Sequence, residues 1–221
     1  RQLVRRRRLA RSLARLERAA IPDEVDLTMM EQIVRAWDNP GYAGDAAFLL
    51  QVARDAWEGP GPVLDCGSGL STIVCAAVAA RRGARVWSLE QDASWHEDVR
   101  GMVSALRLDN VVLWHAPLRS YGGYVWYDLT GRELPRHFSV VACDGPAVRR
   151  SEWPPARFAA WRVGGVLALK ELGIRFDRII LDDADDSRAP GLVERWEREG
   201  IAMREIASAT GRHLVGHPPA E

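Results

Sequence analysis

The chain has 221 residues, 47% of them hydrophobic, and its 30 basic and 30 acidic side chains cancel to a formal net charge of zero. This length suffices for one well-packed domain and excludes two full domains joined by a linker. The charge is uneven: residues 1–20 carry eight arginines against Glu17, a net charge of +7, which leaves −7 on the remainder. An acidic body lacks the positive stripe that grips a nucleic-acid backbone, so we do not expect the body to bind nucleic acid.

The cysteines and the hydropathy pattern favour a reducing compartment and no membrane span. Cys66, Cys75 and Cys143 are odd in number and flanked by apolar residues, which is typical of buried free thiols in a reducing environment. The sequence has no CxxC pair and no run of 18 apolar residues, so neither a zinc site nor a membrane span is expected. The sequence therefore predicts a soluble cytoplasmic protein.

The amino-terminal part, residues 1–58, predicts helices. Within a basic leader, residues 1–20, apolar residues recur at helical spacing and arginines surround them. Such a helix packs on its own domain or on a second subunit of a homodimer, or it touches a membrane or RNA. Further helices are predicted near 29–36 and 44–57, and a Pro/Gly cluster then opens a second unit, residues 59–221. The apolar positions of the leader are Leu9, Leu13, Leu16 and Ala20.

From residue 63 onward, predicted strands alternate with predicted helices, which implies a doubly wound, mostly parallel α/β sheet with helices on both faces. The end of the chain differs, because residues 202–207 and 212–217 flank a Ser-Ala-Thr-Gly turn and predict an antiparallel hairpin. The other strands are predicted at 63–66, 85–90, 110–115, 138–143 and 178–182. The helices are predicted near 70–82, 93–106, 155–171 and 190–199.

The most informative stretch is Asp65-Cys-Gly-Ser-Gly-Leu-Ser-Thr72, where an apolar strand breaks into Gly-x-Gly and a helical pattern follows. The glycines let the backbone turn sharply and approach a ligand, to which the helix offers free N–H groups. A dinucleotide fingerprint places a third glycine where this chain has Thr72, which argues against an oxidoreductase. Asp65 repels a diphosphate and attracts an ammonium group. The turn therefore suits a zwitterionic ligand.

A second acid, Glu90, ends the next predicted strand roughly 20 residues after Gly67, where an acid can accept both hydroxyls of a ribose. Asp65-x-Gly67-x-Gly69-x-Ser71 resembles the first motif of the class I S-adenosylmethionine-dependent methyltransferases, and Glu90 resembles their ribose-binding acid. The resemblance covers about residues 60–218. It implies their Rossmann-like seven-stranded fold and S-adenosylmethionine as cofactor. The implied cofactor-binding residues are Asp65, Gly67, Ser68, Gly69, Ser71, Glu90, Gln91, His115 and Ala116.

Acids also follow the fourth and fifth predicted strands, Asp144 after one and Asp182-Asp183 after the other. Ligands of open α/β sheets bind beyond the carboxyl ends of the strands, and neighbouring strand ends lie roughly 5 Å apart. Carboxylates this close need a cation, and magnesium would bind and acidify a substrate hydroxyl. The pattern is similar to metal-dependent O-methyltransferases of the catechol, caffeoyl-coenzyme A and macrolide-sugar types. That similarity implies Asp144, Asp182 and Asp183 as metal ligands.

The general base is not fixed by the sequence. Pro146 and Ala147 stand where those families place an acidic or basic group, and neither takes a proton. The predicted catalytic residues are Asp144, for its position after the fourth strand, and His137, because a neutral imidazole titrates in a useful range. His96 and His115 are further candidates on the same ground.

Other interpretations stay open at this edge. The acidic segment 182–186 also fits a solvated turn that caps the next helix, and Asp144 also fits a site lining without metal. Aromatic residues in predicted loops or helix starts could line an aromatic acceptor site or belong to the core. They are Trp95, Trp126, Tyr127 and Trp153.

The sequence thus predicts an S-adenosylmethionine-dependent methyltransferase that acts on the hydroxyl of a small molecule, with magnesium as a second cofactor. Two alternatives remain. The arginine-rich leader would suit an RNA methyltransferase, in which it tethers the substrate. The missing base would suit a non-catalytic subunit that binds the cofactor and has lost the chemistry.

Overall fold

The computed structural model describes residues 2–39, 43–147, 164–182, 189–207 and 212–219. The strands of this part of the chain are β1 (Val63–Cys66), β2 (Val86–Glu90), β3 (Val111–His115), β4 (Leu118–Ser120), β5 (Val125–Tyr127), β6 (His137–Cys143), β7 (Arg175–Leu181), β8 (Ala202–Ala207) and β9 (Arg212–His217). Seven of them form one sheet in the order β3-β2-β1-β6-β7-β9-β8.

The sheet is mostly parallel. β3, β2, β1, β6 and β7 pair in parallel, whereas β9 lies antiparallel between β7 and β8. The carboxyl ends of the parallel strands therefore meet at one edge, which we call the carboxyl edge. This arrangement confirms the predicted doubly wound sheet and the antiparallel hairpin at the end of the chain.

The α-helices of the described part agree with the predicted pattern. They are α1 (Gln2–Arg18), α2 (Leu27–Trp37), α3 (Ala46–Glu58), α4 (Leu70–Ala79), α5 (Ala93–Leu106), α6 (Gly164–Glu171) and α7 (Ala189–Arg198). Aspartate side chains cap three of them, because Asp26, Asp45 and Asp92 accept backbone N–H groups in the first turns of α2, α3 and α5. The predicted helix 155–171 is described only over α6, and residues 155–163 lie outside the described residues.

The leader helix α1 packs on its own domain, on α2, α4 and α5. Its apolar stripe of Leu9, Leu13 and Leu16 is at most 2% exposed. Ala20, the fourth predicted position, lies beyond the end of α1 and is exposed, while Ala19 is buried instead. Because the stripe is already covered within the chain, it does not offer the homodimer contact that the sequence left open.

Two apolar layers cover the two faces of the sheet. Helices α1 to α5 cover one face, and their buried apolar residues, such as Leu9, form one core with those of the strands, such as Val215. The other face packs against β4, β5, α6 and α7, where Trp126 and Trp196 are fully buried. No helix among the described residues is long and apolar enough to cross a membrane.

The β4–β5 hairpin was not predicted. Its strands have three residues each, with Leu118 opposite Tyr127, and Gly122 in the connection has a φ of +84°. The hairpin places Trp126 and Tyr127 in the core, with exposures of 0%. The assignment of these two aromatics to loops or helix starts was therefore wrong, and Trp153 lies outside the described residues.

Candidate functional site

The strand register brings the predicted acids to a common edge. Cys66 at the end of β1 lies opposite Leu89 of β2 and Cys143 of β6, and Cys143 lies opposite Leu181 of β7. The four strands thus end at the same level. The acids near these ends are Asp65, Glu90, Asp144 and Asp182.

The turn after β1 is held against the segment after β6 by two glycines. A Cβ on Gly67, which has a φ of +108°, would lie 2.6 Å from the backbone nitrogen of Gly145. The amides of Asp144 and Gly145 both donate to the carbonyl of Cys66, at 3.1 and 2.6 Å. Glycine is therefore required at position 67 for the close approach of two backbone segments, a reason that the sequence did not reveal.

The carboxyl group of Asp65 is fully buried beneath the turn. Its Oδ2 accepts hydrogen bonds from the hydroxyls of Thr72 at 2.5 Å and Ser88 at 3.0 Å. Burial raises the pKa of Asp65 to about 7, although the hydroxyls of Thr72, Ser71 and Ser88 oppose the rise. The other oxygen, Oδ1, is buried and accepts no hydrogen bond from the described residues. Asp65 therefore holds an acceptor oxygen that the described protein leaves unused.

Thr72 fixes the turn around Asp65. While it donates to Asp65, its hydroxyl accepts the backbone N–H of Gly69 at 3.0 Å, which closes the first turn of α4. From the sequence, Thr72 was noted only because it stands where a dinucleotide fingerprint has its third glycine. A hydroxyl at this position in fact joins the strand, the turn and the helix.

Glu90 ends β2 beside this turn and is 3% exposed. Its Oε2 accepts from the Ser68 hydroxyl at 2.9 Å, and its Oε1 accepts from the backbone N–H of Asp92 at 2.8 Å. Burial raises the pKa of Glu90, and the two donors counteract part of that rise. Because a carboxylate has about four lone-pair sites, each oxygen can still accept one further donor, as two ribose hydroxyls require.

The remaining predicted cofactor residues lie around the same turn. Gln91 follows Glu90, and its Nε2 donates to the carbonyl of Ala147 at 2.9 Å, whereas its buried Oε1 has no partner in the described chain. His115 ends β3, and its Nε2 lies 3.2 Å from the Gln91 carbonyl. The adjacent Ala116 is fully buried and donates its N–H to the carbonyl of Glu90. The structure thus brings these residues together at the ends of β2 and β3.

Trp95 belongs to this group, although in a different way from the predicted aromatic lining. Its indole N–H donates to the carbonyl of Ser68 at 2.8 Å, and its ring packs edge-on against Trp37 at 6.1 Å. Trp95 therefore supports the turn from α5. His96 lies on the same helix, with its ring 5.8 Å from that of His115.

The edge beyond β6 and β7 contains two of the three predicted metal ligands. Asp182 is 4% exposed and donates its backbone N–H to Cys143 at 2.9 Å, which places it next to Asp144 in the sheet. Asp183 lies outside the described residues. Within the described ranges, no group of three histidine, cysteine or carboxylate side chains is arranged to hold a metal ion. The described donors therefore do not complete a magnesium site.

The structure separates His137 from the other predicted site residues. It is the first residue of β6, and its Nε2 lies 2.8 Å from Asp177 Oδ1. Its Nδ1 would lie 3.9 Å from a Cβ on Gly61, which precedes β1. The strand's length puts it roughly 20 Å from the carboxyl edge. The prediction of His137 as a catalytic residue beside Asp144 was wrong, because parallel strands begin at the opposite edge of the sheet.

The sequence analysis missed His213 near the carboxyl edge, and it considered Tyr127 only as an aromatic residue and not for its hydroxyl. A Cβ on Gly145 would meet the hydroxyl of Tyr127 at 2.5 Å, and this hydroxyl is buried without a partner in the described part of the chain. Burial raises the pKa of Tyr127 well above its usual value, and the nearby Glu90 and Asp65 raise it further. His213 at the start of β9 is likewise buried with both ring nitrogens unpartnered among the described residues.

Comparisons with known proteins bear on the fold. No protein-family model matches the chain, and no curated protein matches it either. Several solved structures are similar. The O-methyltransferase from Bacillus cereus in complex with SAH is 16% identical, with 86% of this chain and 90% of that chain covered and a TM-score of 0.52.

Two further structures have comparable likeness. TomG, the O-methyltransferase from Streptomyces achromogenes involved in tomaymycin synthesis, in complex with SAM, is 14% identical, with coverage of 87% and 89% and a TM-score of 0.52. The C-terminal domain of precorrin-6Y C5,15-methyltransferase from Rhodobacter capsulatus is 14% identical, with coverage of 80% and 91% and a TM-score of 0.50. At these identities the likeness shows a shared fold. The chain therefore has the fold of the class I S-adenosylmethionine-dependent methyltransferases.

Proposed function

We propose that the protein is an S-adenosylmethionine-dependent methyltransferase that acts on a hydroxyl of a small molecule. The observation that carries the proposal is the pair of buried acids at neighbouring strand ends, Asp65 with an unused oxygen and Glu90 with free acceptor capacity. An unused buried acceptor is costly unless a ligand supplies its donor. An ammonium group and a ribose are the donors that suit these two acids, and S-adenosylmethionine carries both.

The residues around the turn have distinct parts in this proposal. Asp65 binds the ammonium group, and the hydroxyls of Thr72 and Ser88 fix its orientation. Glu90 binds the ribose hydroxyls and is fixed by Ser68. When bound, the cofactor supplies an electrophilic methyl group on a sulfonium. The protein contributes orientation and a site that excludes water.

The acceptor end of the site lies beyond β6 and β7 in this proposal, where Asp144 and Asp182 are adjacent. A small-molecule hydroxyl is supported by the two similar structures that are named as O-methyltransferases. No step of the proposal passes through a metal, because no three metal-binding side chains of the described residues are arranged to hold one.

The cysteines fit a cytoplasmic location, which is part of the proposal. Cys66, Cys75 and Cys143 are buried and free. Burial raises the pKa of the Cys66 and Cys75 thiols well above the usual value, so they stay protonated and unreactive.

Isothermal titration with S-adenosylhomocysteine tests the cofactor site. Glu90→Gln keeps the shape of the side chain and removes the charge that the ribose hydroxyls meet, so we expect about tenfold weaker binding or more. Glu205→Gln, on the exposed strand β8, is the matched control and should bind as the unchanged protein does. Equal affinities of all three proteins would contradict the assignment. Binding of cofactor without methyl transfer to any hydroxyl compound would favour the non-catalytic alternative.

A further inference from the structure

His213 lies at the carboxyl edge because its strand runs against the others. β9 is antiparallel to β7, with Leu214 opposite Leu181. The same register, continued by one residue, brings His213 beside Asp182. Cβ atoms of directly opposite residues in such a pair are about 4.5–5.5 Å apart. His213 is thus two strands beyond β6 on the side away from the proposed cofactor turn.

The imidazole faces the start of α3. Its ring lies 6.4 Å from that of Phe48, at an interplanar angle of 73°. Asp182 faces the same helix, because a Cβ on Gly44 would lie 3.1 Å from Asp182 Oδ2. Two polar side chains of neighbouring strands therefore point towards one helix terminus, beside an aromatic ring.

The imidazole is buried without a partner. His213 is 1% exposed, and within the described ranges neither ring nitrogen has a hydrogen bond. Burial lowers the pKa of His213, although the nearby Asp45 and Asp55 work in the opposite direction, so the ring is neutral at pH near 7. A neutral imidazole offers one donor and one acceptor, and buried polar atoms in folded proteins nearly always find partners. The missing partner is consistent with a ligand.

We propose that His213 accepts a hydrogen bond from the hydroxyl of the methyl acceptor and so orients that hydroxyl at the ends of β6 and β7. This proposal rests on the proposed function. The ring of Phe48 beside the imidazole favours an acceptor whose hydroxyl is attached to an aromatic body. His213 acts here as an acceptor-binding residue, with Asp182 next to it.

The test uses His213→Phe, which keeps a ring against Phe48 and removes both nitrogens. His217→Phe, at the exposed far end of the same strand, is the matched control. Phenol, catechol and benzyl alcohol are titrated into protein saturated with S-adenosylhomocysteine, and toluene serves as a probe without a hydroxyl. We expect His213→Phe to bind the hydroxyl compounds about tenfold more weakly or worse. Its affinities for toluene and S-adenosylhomocysteine should stay within about twofold of those of the unchanged protein.

A second variant and a spectroscopic measurement protect the test against misfolding. His213→Gln restores one hydrogen-bonding group and should recover part of the affinity. In protein with nitrogen-15-labelled histidine, the ring signals that His213→Phe removes should shift when the hydroxyl compound binds.

Three outcomes have separate meanings. Equal binding of the hydroxyl compounds by His213→Phe would overturn the proposal, as would bound phenol without a shift of the His213 signals. Failure of all three hydroxyl compounds to bind at about 10 mM, while S-adenosylhomocysteine binds, would also overturn it. Failure of the unchanged protein to bind S-adenosylhomocysteine would instead overturn the proposed function.

Discussion

At the scale of single residues, the protonation of Asp65 links cofactor affinity to pH. Burial raises the pKa of this carboxyl to about 7, and only the ionised form pairs with an ammonium group. The binding-competent fraction therefore grows as pH rises from about 6 to about 7.5, and affinity for S-adenosylhomocysteine should increase roughly fivefold to tenfold, as measured by calorimetry. Asp65→Asn keeps acceptors for Thr72 and Ser88 and should bind weakly with no such rise. An equal rise in the variant would contradict this role.

The same group affects stability in the opposite direction. Its pKa is 3.8 outside the folded protein and about 7 within it, so the folded state retains the proton across this interval. The free energy of unfolding should therefore fall as pH rises from about 4 to about 7, and this contribution should stay constant above that range. Urea titrations of the unchanged protein and of Asp65→Asn at about pH 5 and pH 8 isolate the contribution of Asp65. Parallel changes in both proteins would show that other groups cause it.

The sequence allowed some of these residues to be predicted because their positions depend on local structure. Asp65 and Glu90 end strands that precede a turn, and parallel strands bring their ends together. Tyr127 was considered only as an aromatic residue of a loop or helix start. Its place beside Gly145 could not be predicted, because it depends on a hairpin that packs on the sheet from elsewhere in the chain. His137 was misplaced although the signal existed, since it precedes the predicted strand and strands start at the opposite edge.

At the scale of elements, the contact between the turn after β1 and the segment after β6 depends on Gly67. An alanine there adds a Cβ 2.6 Å from the Gly145 nitrogen, in a backbone conformation with φ of +108°. We expect Gly67→Ala to lower the free energy of unfolding by about 2–4 kcal/mol and to abolish cofactor binding. Gly83→Ala is the control, because φ is +65° and no atom of the described residues lies within 4 Å of the added Cβ.

The control separates strain from contact. Gly83→Ala should lower the free energy of unfolding by only about 1–2 kcal/mol, the cost of placing an alanine in the left-handed region, and should leave cofactor binding unchanged. Urea unfolding and calorimetry provide both measurements. If Gly67→Ala is no more destabilising than Gly83→Ala, the two backbone segments do not touch as described.

Elements were predicted well where their period extends over enough residues. The long amphipathic α1 repeats its pattern over several turns, and the parallel strands stand out as short apolar runs between helical segments. The three-residue strands β4 and β5 are too short to show alternation, and their only local signal is the Gly122-Gly123 pair in the connection. The approach of Gly145 to Gly67 joins residues far apart in sequence, so no local pattern contains it.

At the scale of the whole molecule, the leader and the sheet share a core. Leu13 of α1 belongs to the same buried cluster as Val63 of β1 and Val140 of β6. A boundary at residue 58 separates the predicted helical part from the sheet along the chain, but the apolar contacts cross it. Because one core is shared, the two parts should unfold together.

Leu13→Ala tests this cooperativity. The side chain of Leu13 is 2% exposed, so its truncation should lower the free energy of unfolding by about 2–5 kcal/mol. The control Arg11→Ala, at an exposed position, should stay within about 0.5 kcal/mol of the unchanged protein. In a shared core, the loss shifts the unfolding transition of the far-ultraviolet signal and that of tryptophan fluorescence together, including the contribution of Trp196 on the far face of the sheet. If only the helical signal moved while the fluorescence transition stayed, the leader would be an appendage that folds apart from the sheet.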